Sequence, residues 1–510
     1  MATDEDRARP RNPLYLARSD FLVTKTAREA IESSTQADSS RRRMQIFAAL
    51  VVASAAIYSF RLGTDALGAS EAYSAWAAAK PTVGAIFRIP VLHDPGKQVF
   101  YYVVLHFFIR IFGSSEIALR SVSVIFAVAS VAIIFALGRE MFDDETALAA
   151  AAIWAFNPLA VVFAHRARMY SMFIAVALAQ LWMLLRVRER PSMARAVGCG
   201  VAGAALLYTH MAGGFFIGAE IAMLAREYLR GRRNPIPWMA IAVTLALFVP
   251  YVPVARSQSA TLLAGHWLDW IGTPYEYPLA VKAIALVGAG AIAVWFILGT
   301  KFEGNVDEPM RWLSAWAILP ALALGAGSIA IRPMFNLRYV APSTAAIALV
   351  ASAAVAIVSR KWRNLLTAGF ALSCLIMLPF DQPEPQPWRK FARQVADGAA
   401  SEPVFFEAGF VSNLQTQNVP NGGFPFGYYS IPFDYYFSGP NPRIAVPGFD
   451  PTAARATIEE RVSAAGGGWL ISWKNAGDVK SELPDPSRFG TVEKFRAEHL
   501  AFYRIAPAGK

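Results

Sequence analysis

Long apolar runs recur along this chain with only short polar links between them, and that pattern constrains the fold more than any other feature. A hydrocarbon core of about 30 Å needs roughly 20 apolar residues to cross it as a helix. Such runs, with 55% hydrophobic and 17% charged residues over 510 positions, fit a polytopic helical membrane bundle far better than a soluble domain. The net charge of +11 would suggest nucleic acid as a partner in a soluble protein. Here the positive charge sits in short links and in the N-terminal arm, so it reads as a topology signal and no nucleic acid is expected.

Side assignment follows from the basic links. The short run VFYYVVLHFFIRIFG, Val99 to Gly113, is apolar yet carries His106 and Arg110. If it stays on one face, the spans fall at Met44–Phe60, Glu116–Leu137, Thr146–Phe163, Met169–Leu185, Ala194–Tyr208, Ala212–Leu224, Ile236–Val254, Pro278–Leu298, Trp312–Ile331, Arg338–Val358 and Leu365–Phe380. That count of about eleven puts Arg139, Arg186, Arg188, Arg190, Arg226, Arg230, Arg232, Arg233, Lys301, Arg311, Arg360, Lys361 and Arg363 on the cytoplasmic side, as the positive-inside bias requires. If it crosses instead, most of those clusters are stranded outside.

Three regions are expected. Residues 1–43 form a basic cytoplasmic arm, and the first span is read as retained because no small-residue cleavage site follows it. Residues 44–380 form the membrane domain, with a large first outer loop over 62–115. After the Pro-rich linker DQPEPQPWRK, residues 381–510 form a small extracytoplasmic α/β domain, with an amphipathic helix at Trp388–Ala396 and strands at PVFFEA, GGWLISW and HLAFYRIA. Cys199 and Cys374 lie in separate apolar runs, so neither a disulfide nor a metal spacing is indicated. Tail aromatics such as Phe424, Phe433, Tyr435 and Tyr436 read as packing and interfacial residues ahead of sugar stacking.

Ionisable groups beside spans are costly unless they line a wet cavity or meet a partner. On this topology Asp65, Glu71, His93, Asp94 and Lys97 of the first loop share the outer face with His165, Arg166, Arg168, His210, His266, Asp269, Arg332 and Arg338. No Asp-x-Asp, Walker, GxGxxG, HExxH or CxxC pattern is present, which argues against nucleotide-sugar, ATP or redox chemistry.

The blocks SEAYSAW, HDPGK before YYVVLHFF, FGSSEIALRSVSVIFA, LGREMF, NPLAVVFAHRARMYSM and FNLRYVAPS, in that order between Leu62 and Pro342, resemble the polytopic GT-C glycosyltransferases. Within that class the chain is most similar to the bacterial branch related to protein O-mannosyltransferases and aminoarabinose transferases. The resemblance implies a mainly α, GT-C-like bundle that moves a sugar from a polyprenyl-phosphate donor to a glycan, lipid or protein acceptor at the outer face of the cytoplasmic membrane.

Such a reaction needs a carboxylate to take the acceptor proton and positive charge for the leaving phosphate. Glu71 and Asp94 are the catalytic candidates. The family shows an acidic pair where this chain has Ser70 then Glu71, so Asp94 or Asp65 is the alternative base, and Glu71 could instead orient a loop helix. Lys97, Arg168, Tyr170 and Arg338 are candidates for the donor phosphate. The acid usually found before the Arg-Met-Tyr block is replaced by His165-Arg166. No cofactor is required by these residues. A divalent metal ion is the one candidate, which His210 and His266 could ligate with Asp94, against the commoner structural role of lone histidines at span ends. The rival classes are a transporter or flippase of lipid-linked sugars, against which there is no inverted repeat, and an inactive scaffold of the same fold.

Overall fold

The computed structural model describes residues 38–92, 99–256, 307–330, 335–358, 387–407, 430–446, 450–472, 483–497 and 500–508, with short pieces between 364 and 372. By contacts the chain divides between Ala53 and Ser54, and the second unit, Ser54–Lys510, includes both the bundle and the C-terminal sheet. The division lies inside the first helix, α1, residues 38–59.

The stretch expected as the first outer loop carries α2 (Ala69–Ala78), α3 (Val83–Leu92) and α4 (Phe100–Phe112). At 1.5 Å per residue the 13 residues of α4 extend about 20 Å, short of the roughly 30 Å hydrocarbon core. Its two awkward polar residues have partners in the loop. His106 Nδ1 lies 2.7 Å from the Ala78 carbonyl, and Arg110 donates to the Pro81 carbonyl at 3.1 Å.

The bundle follows as α5 (Glu116–Met141), α6 (Asp144–Ala155), α7 (Pro158–Ala164), α8 (Tyr170–Glu189), α9 (Met193–Thr209), α10 (Gly213–Leu229), α11 (Ile236–Phe248), α12 (Asp307–Ala330) and α13 (Ala341–Val358). Among the described residues, Glu116–Met141, Tyr170–Glu189, Ile236–Arg256 and Leu337–Val355 are long and apolar enough to cross a membrane. The chain is thus a multi-pass membrane protein, although the described residues do not reach the expected count of eleven spans. The run expected as a single span over Thr146–Phe163 is broken: α6 and α7 meet at 58°. The Asn157 side chain caps α7 by accepting the Leu159 N–H at 2.9 Å, and Pro158 has no N–H to continue the α6 ladder. The expected span at Pro278–Leu298 lies outside the described residues.

Basic links expected on one side do come together. Arg186 pairs with Glu140 at 3.0 Å, Arg188 with Glu227 at 2.5 Å, and Arg188 and Arg232 both with Glu308. Arg188 lies 18 residues along α8 from its start at Tyr170, about 27 Å.

Among the described residues the tail forms a five-stranded sheet in the order β2-β1-β3-β5-β4, made of β1 (Val404–Glu407), β2 (Arg443–Val446), β3 (Gly468–Ser472), β4 (Phe489–Ala497) and β5 (Leu500–Pro507). β1 is parallel to β2 and β3, while β5 runs antiparallel to β3 and β4. Helices α14 (Trp388–Ala396) and α15 (Ile431–Tyr436) cover one face, where Phe391, Val395 and Phe433 pack on Phe406, Trp469 and Phe502. Helix α16 (Pro451–Ala465) covers the other face through Ala454, Ile458 and Val462. This arrangement suits the sequence, since the inward residues of β1 and β3 alternate between the two clusters.

Candidate functional site

Glu71 occupies the third position of α2, where a carboxylate can reach back to the chain entering the helix. Its Oε2 accepts the Gly68 N–H at 2.9 Å. The same carboxylate takes a two-pronged contact from Arg120 in the second turn of α5, Nε to Oε1 and Nη2 to Oε2, both at 2.9 Å. A fourth bond reaches Oε1 from the Ala167 N–H at 2.8 Å, in the link before α8. Both side chains are buried, with Glu71 and Arg120 each 5% exposed. Burial pushes the Glu71 carboxyl up, but the Arg120 hydrogen bonds and charge, together with the Ala167 and Gly68 N–H groups, outweigh it and hold its pKa below the ordinary value.

Arg120 has no hydrogen to spare. Besides Glu71 it donates from Nη1 to the carbonyls of Leu62 at 2.8 Å and Asp65 at 3.0 Å, and from Nη2 to that of Ala66 at 3.2 Å. All five N–H groups of a guanidinium are thereby used. Sequence reasoning passed over this residue as part of a span-opening block. The available signal was an arginine one turn inside an apolar run, where an unpaired charge is too expensive to keep.

Glu71 and Arg168 are tied through adjacent residues. As Glu71 holds the Ala167 N–H, Arg168 Nη1 donates to the Ser70 carbonyl at 2.7 Å and to Ser74 Oγ at 3.3 Å. The Arg168 carbonyl accepts from Ser123 Oγ at 3.2 Å, and Ser123 lies 3.4 Å from the Tyr101 hydroxyl. Arg168 is 2% exposed. Arg338, in the short 3-10 turn Leu337–Val340 that opens α13, donates to the Tyr170 hydroxyl at 3.3 Å and lies over the Tyr339 ring. Its buried Nε has no hydrogen-bond partner among the described residues. The Arg338 and Arg168 guanidiniums are within electrostatic reach of one another.

Glu71, Arg168, Tyr170 and Arg338 therefore converge at one end of the bundle, as expected of a shared site. His210 joins them at the margin, stacked on Phe173 at 4.9 Å and facing Tyr339 at 5.2 Å. Its Nδ1 accepts the Ala212 N–H at 3.1 Å. Among the described residues no three His, Cys, Asp or Glu side chains come together to hold a metal ion. Asp94, Lys97 and His266 lie outside the described residues. His165 is half-buried nearby, and burial lowers its pKa. It is neutral at pH 7, so the positive character here belongs to the arginines.

What the geometry offers is one buried and one half-buried guanidinium, with one donor unmet among the described residues, set beside a carboxylate whose acceptor directions are all occupied. The first suits an oxyanion such as phosphate. The second suits positioning better than proton transfer, because a base needs a free lone pair aimed at its substrate.

Residues 97–253 match the family model described as dolichyl-phosphate-mannose-protein mannosyltransferase. No curated protein matches the chain in sequence. Among solved structures, ArnT from Cupriavidus metallidurans in the apo state is 13% identical with a TM-score of 0.58, over 91% of this chain and 98% of that one. The same protein bound to undecaprenyl phosphate is 14% identical with a TM-score of 0.54, over 90% and 97%. The Archaeoglobus fulgidus oligosaccharyltransferase complex with Zn and sulfate is 13% identical with a TM-score of 0.47, over 83% and 67%. The chain has the GT-C fold that its sequence blocks implied, related to that of the mannosyltransferases and aminoarabinose transferases.

Proposed function

We propose that this protein is a membrane glycosyltransferase that moves a sugar from a polyprenyl-phosphate donor to an acceptor at the outer face of the cytoplasmic membrane. The unmet Nε of Arg338, buried within reach of Arg168, is the observation that carries the reading. A buried charged donor without an acceptor is costly, and a phosphate oxygen would satisfy it. The GT-C fold, and the undecaprenyl phosphate bound to the structurally similar ArnT, support the same donor class. On this reading the end with Glu71, Arg168 and Arg338 faces outward. The end with Arg186, Arg188 and Arg232 faces the cytoplasm, in line with the positive-inside bias.

The acceptor oxygen attacks the anomeric carbon as the bond from that carbon to the phosphate oxygen breaks. Arg168, Arg338 and Lys97 take up the charge that gathers on the leaving phosphate, and Asp94 receives the acceptor proton. Glu71 stays ionised and holds Arg168 in place through Ala167.

Binding of undecaprenyl phosphate to the purified protein tests the reading. Arg338→Met should weaken it by roughly 10- to 100-fold, the size of a charge-assisted hydrogen bond. Binding no better than that of the uncharged C55 alcohol, or unchanged by Arg338→Met, would overturn it.

A further inference from the structure

Among the described residues, the tail domain docks on the first outer loop at one cluster. Tyr436, the last residue of α15, accepts the Leu67 N–H at 2.6 Å and donates to Glu116 Oε1 at 2.9 Å. Arg389 of α14 ion-pairs with the same Glu116 oxygen and donates to the Thr64 carbonyl at 3.4 Å. Tyr435 donates to the Ser114 carbonyl, and Ala66 packs on the aromatic cluster of the sheet. Residues 64–67 are thus held from one side by the tail and from the other by Arg120, which takes the carbonyls of Asp65 and Ala66.

Glu116 and Arg120 are four residues apart, so they share one face of the first turns of α5. One receives the tail domain. The other receives Glu71 and, through it, the Ala167–Arg168 link. We infer that the α/β domain is a working part of the transfer site, with Tyr436 and Glu116 as positioning residues. They set the first loop, and thereby Arg168, from outside the bundle. This inference rests on the reading that Arg168 meets the donor phosphate.

The chain of contacts is directional enough to test. Removing the Tyr436 hydroxyl frees the Leu67 N–H and leaves Glu116 with Arg389 alone. The loop over 64–68 then loosens, the Arg120 carbonyl acceptors shift, and the grip of Glu71 on Ala167 slackens. A domain that is merely tethered would loosen the loop and leave residues 165–170 as they were.

Amide hydrogen exchange on the full-length protein in detergent separates the two. In Tyr436→Phe and Glu116→Gln, exchange should speed up by about fivefold over both 64–72 and 165–170, matching the loss of one net hydrogen bond. Undecaprenyl phosphate should bind several-fold more weakly to both variants. Tyr435→Phe removes the neighbouring bond to the Ser114 carbonyl, just before α5, and should leave 165–170 unchanged. Faster exchange at 64–68 with wild-type exchange at 165–170 in both variants overturns the inference, as does no change at 64–68. Glu116→Gln preserves side-chain shape and serves should Tyr436→Phe fold poorly. Failure of the wild type to bind undecaprenyl phosphate would remove the donor reading while leaving the coupling through Ala167 measurable by exchange.

Discussion

Replacing Glu71 by glutamine keeps the shape of the side chain and removes its charge, and two roles for the residue then give opposite results. The carboxylate accepts four hydrogen bonds, two on each oxygen, from Arg120, Ala167 and Gly68. An amide has one accepting oxygen, and its NH2 group would face two donors it cannot receive. Arg120, 5% exposed, would be left as a buried cation without its counter-ion. Breaking a buried pair by removing one partner costs about 3–5 kcal/mol, enough to destabilise the loop and release Ala167.

Thermal unfolding of Glu71→Gln against the wild type measures this, repeated across pH. The folded-state pKa of Glu71 is depressed. Its contribution is therefore complete above the unfolded value of about 4.3 and is lost as pH falls through the lower folded value. The gap between the two proteins should be full at pH 7 and shrink well below pH 4. A Glu71→Gln protein as stable as the wild type at pH 7, yet inactive in transfer, would refute the reasoning and return Glu71 to the role of base.

Asp94→Asn should abolish sugar transfer while undecaprenyl phosphate binding stays within about twofold, since one unit of proton-accepting chemistry is lost and the phosphate contacts are not; retained transfer would remove Asp94 as base. In the tail, Glu402 is 6% exposed, accepts Trp469 Nε1 at 3.0 Å and pairs with Arg504. Glu402→Ala should destabilise the sheet by about 1–3 kcal/mol, read as earlier unfolding or faster exchange over 468–472 and 500–505.

Much of this architecture could be read from the residues, where periodicity and composition act locally. The amphipathic Trp388–Ala396 helix and the strands at PVFFEA, GGWLISW and HLAFYRIA follow from spacing alone, and each is present. The polar edge strand β4, FGTVEKFRA, gave no comparable signal, because an edge carries charge where a central strand carries valine. The break at Asn157-Pro158 was written in the sequence as a cap and a missing N–H, but the apolar run around it masked both. The candidate site was legible as residue types and as a common end of the bundle. What could not be read was valency. Nothing in a linear string says that Glu71 would meet Arg120, 49 positions away, and fill every lone-pair direction, or that Tyr436 would reach back to Leu67.

The saturation of Arg120 has a consequence for traffic through the protein. A hub with no unused hydrogen cannot exchange one carbonyl for another without stranding part of its charge in a dry setting. The strip from Leu62 to Glu71 therefore behaves as a fixed sill, and any larger movement at this end of the bundle has to swing on a different hinge.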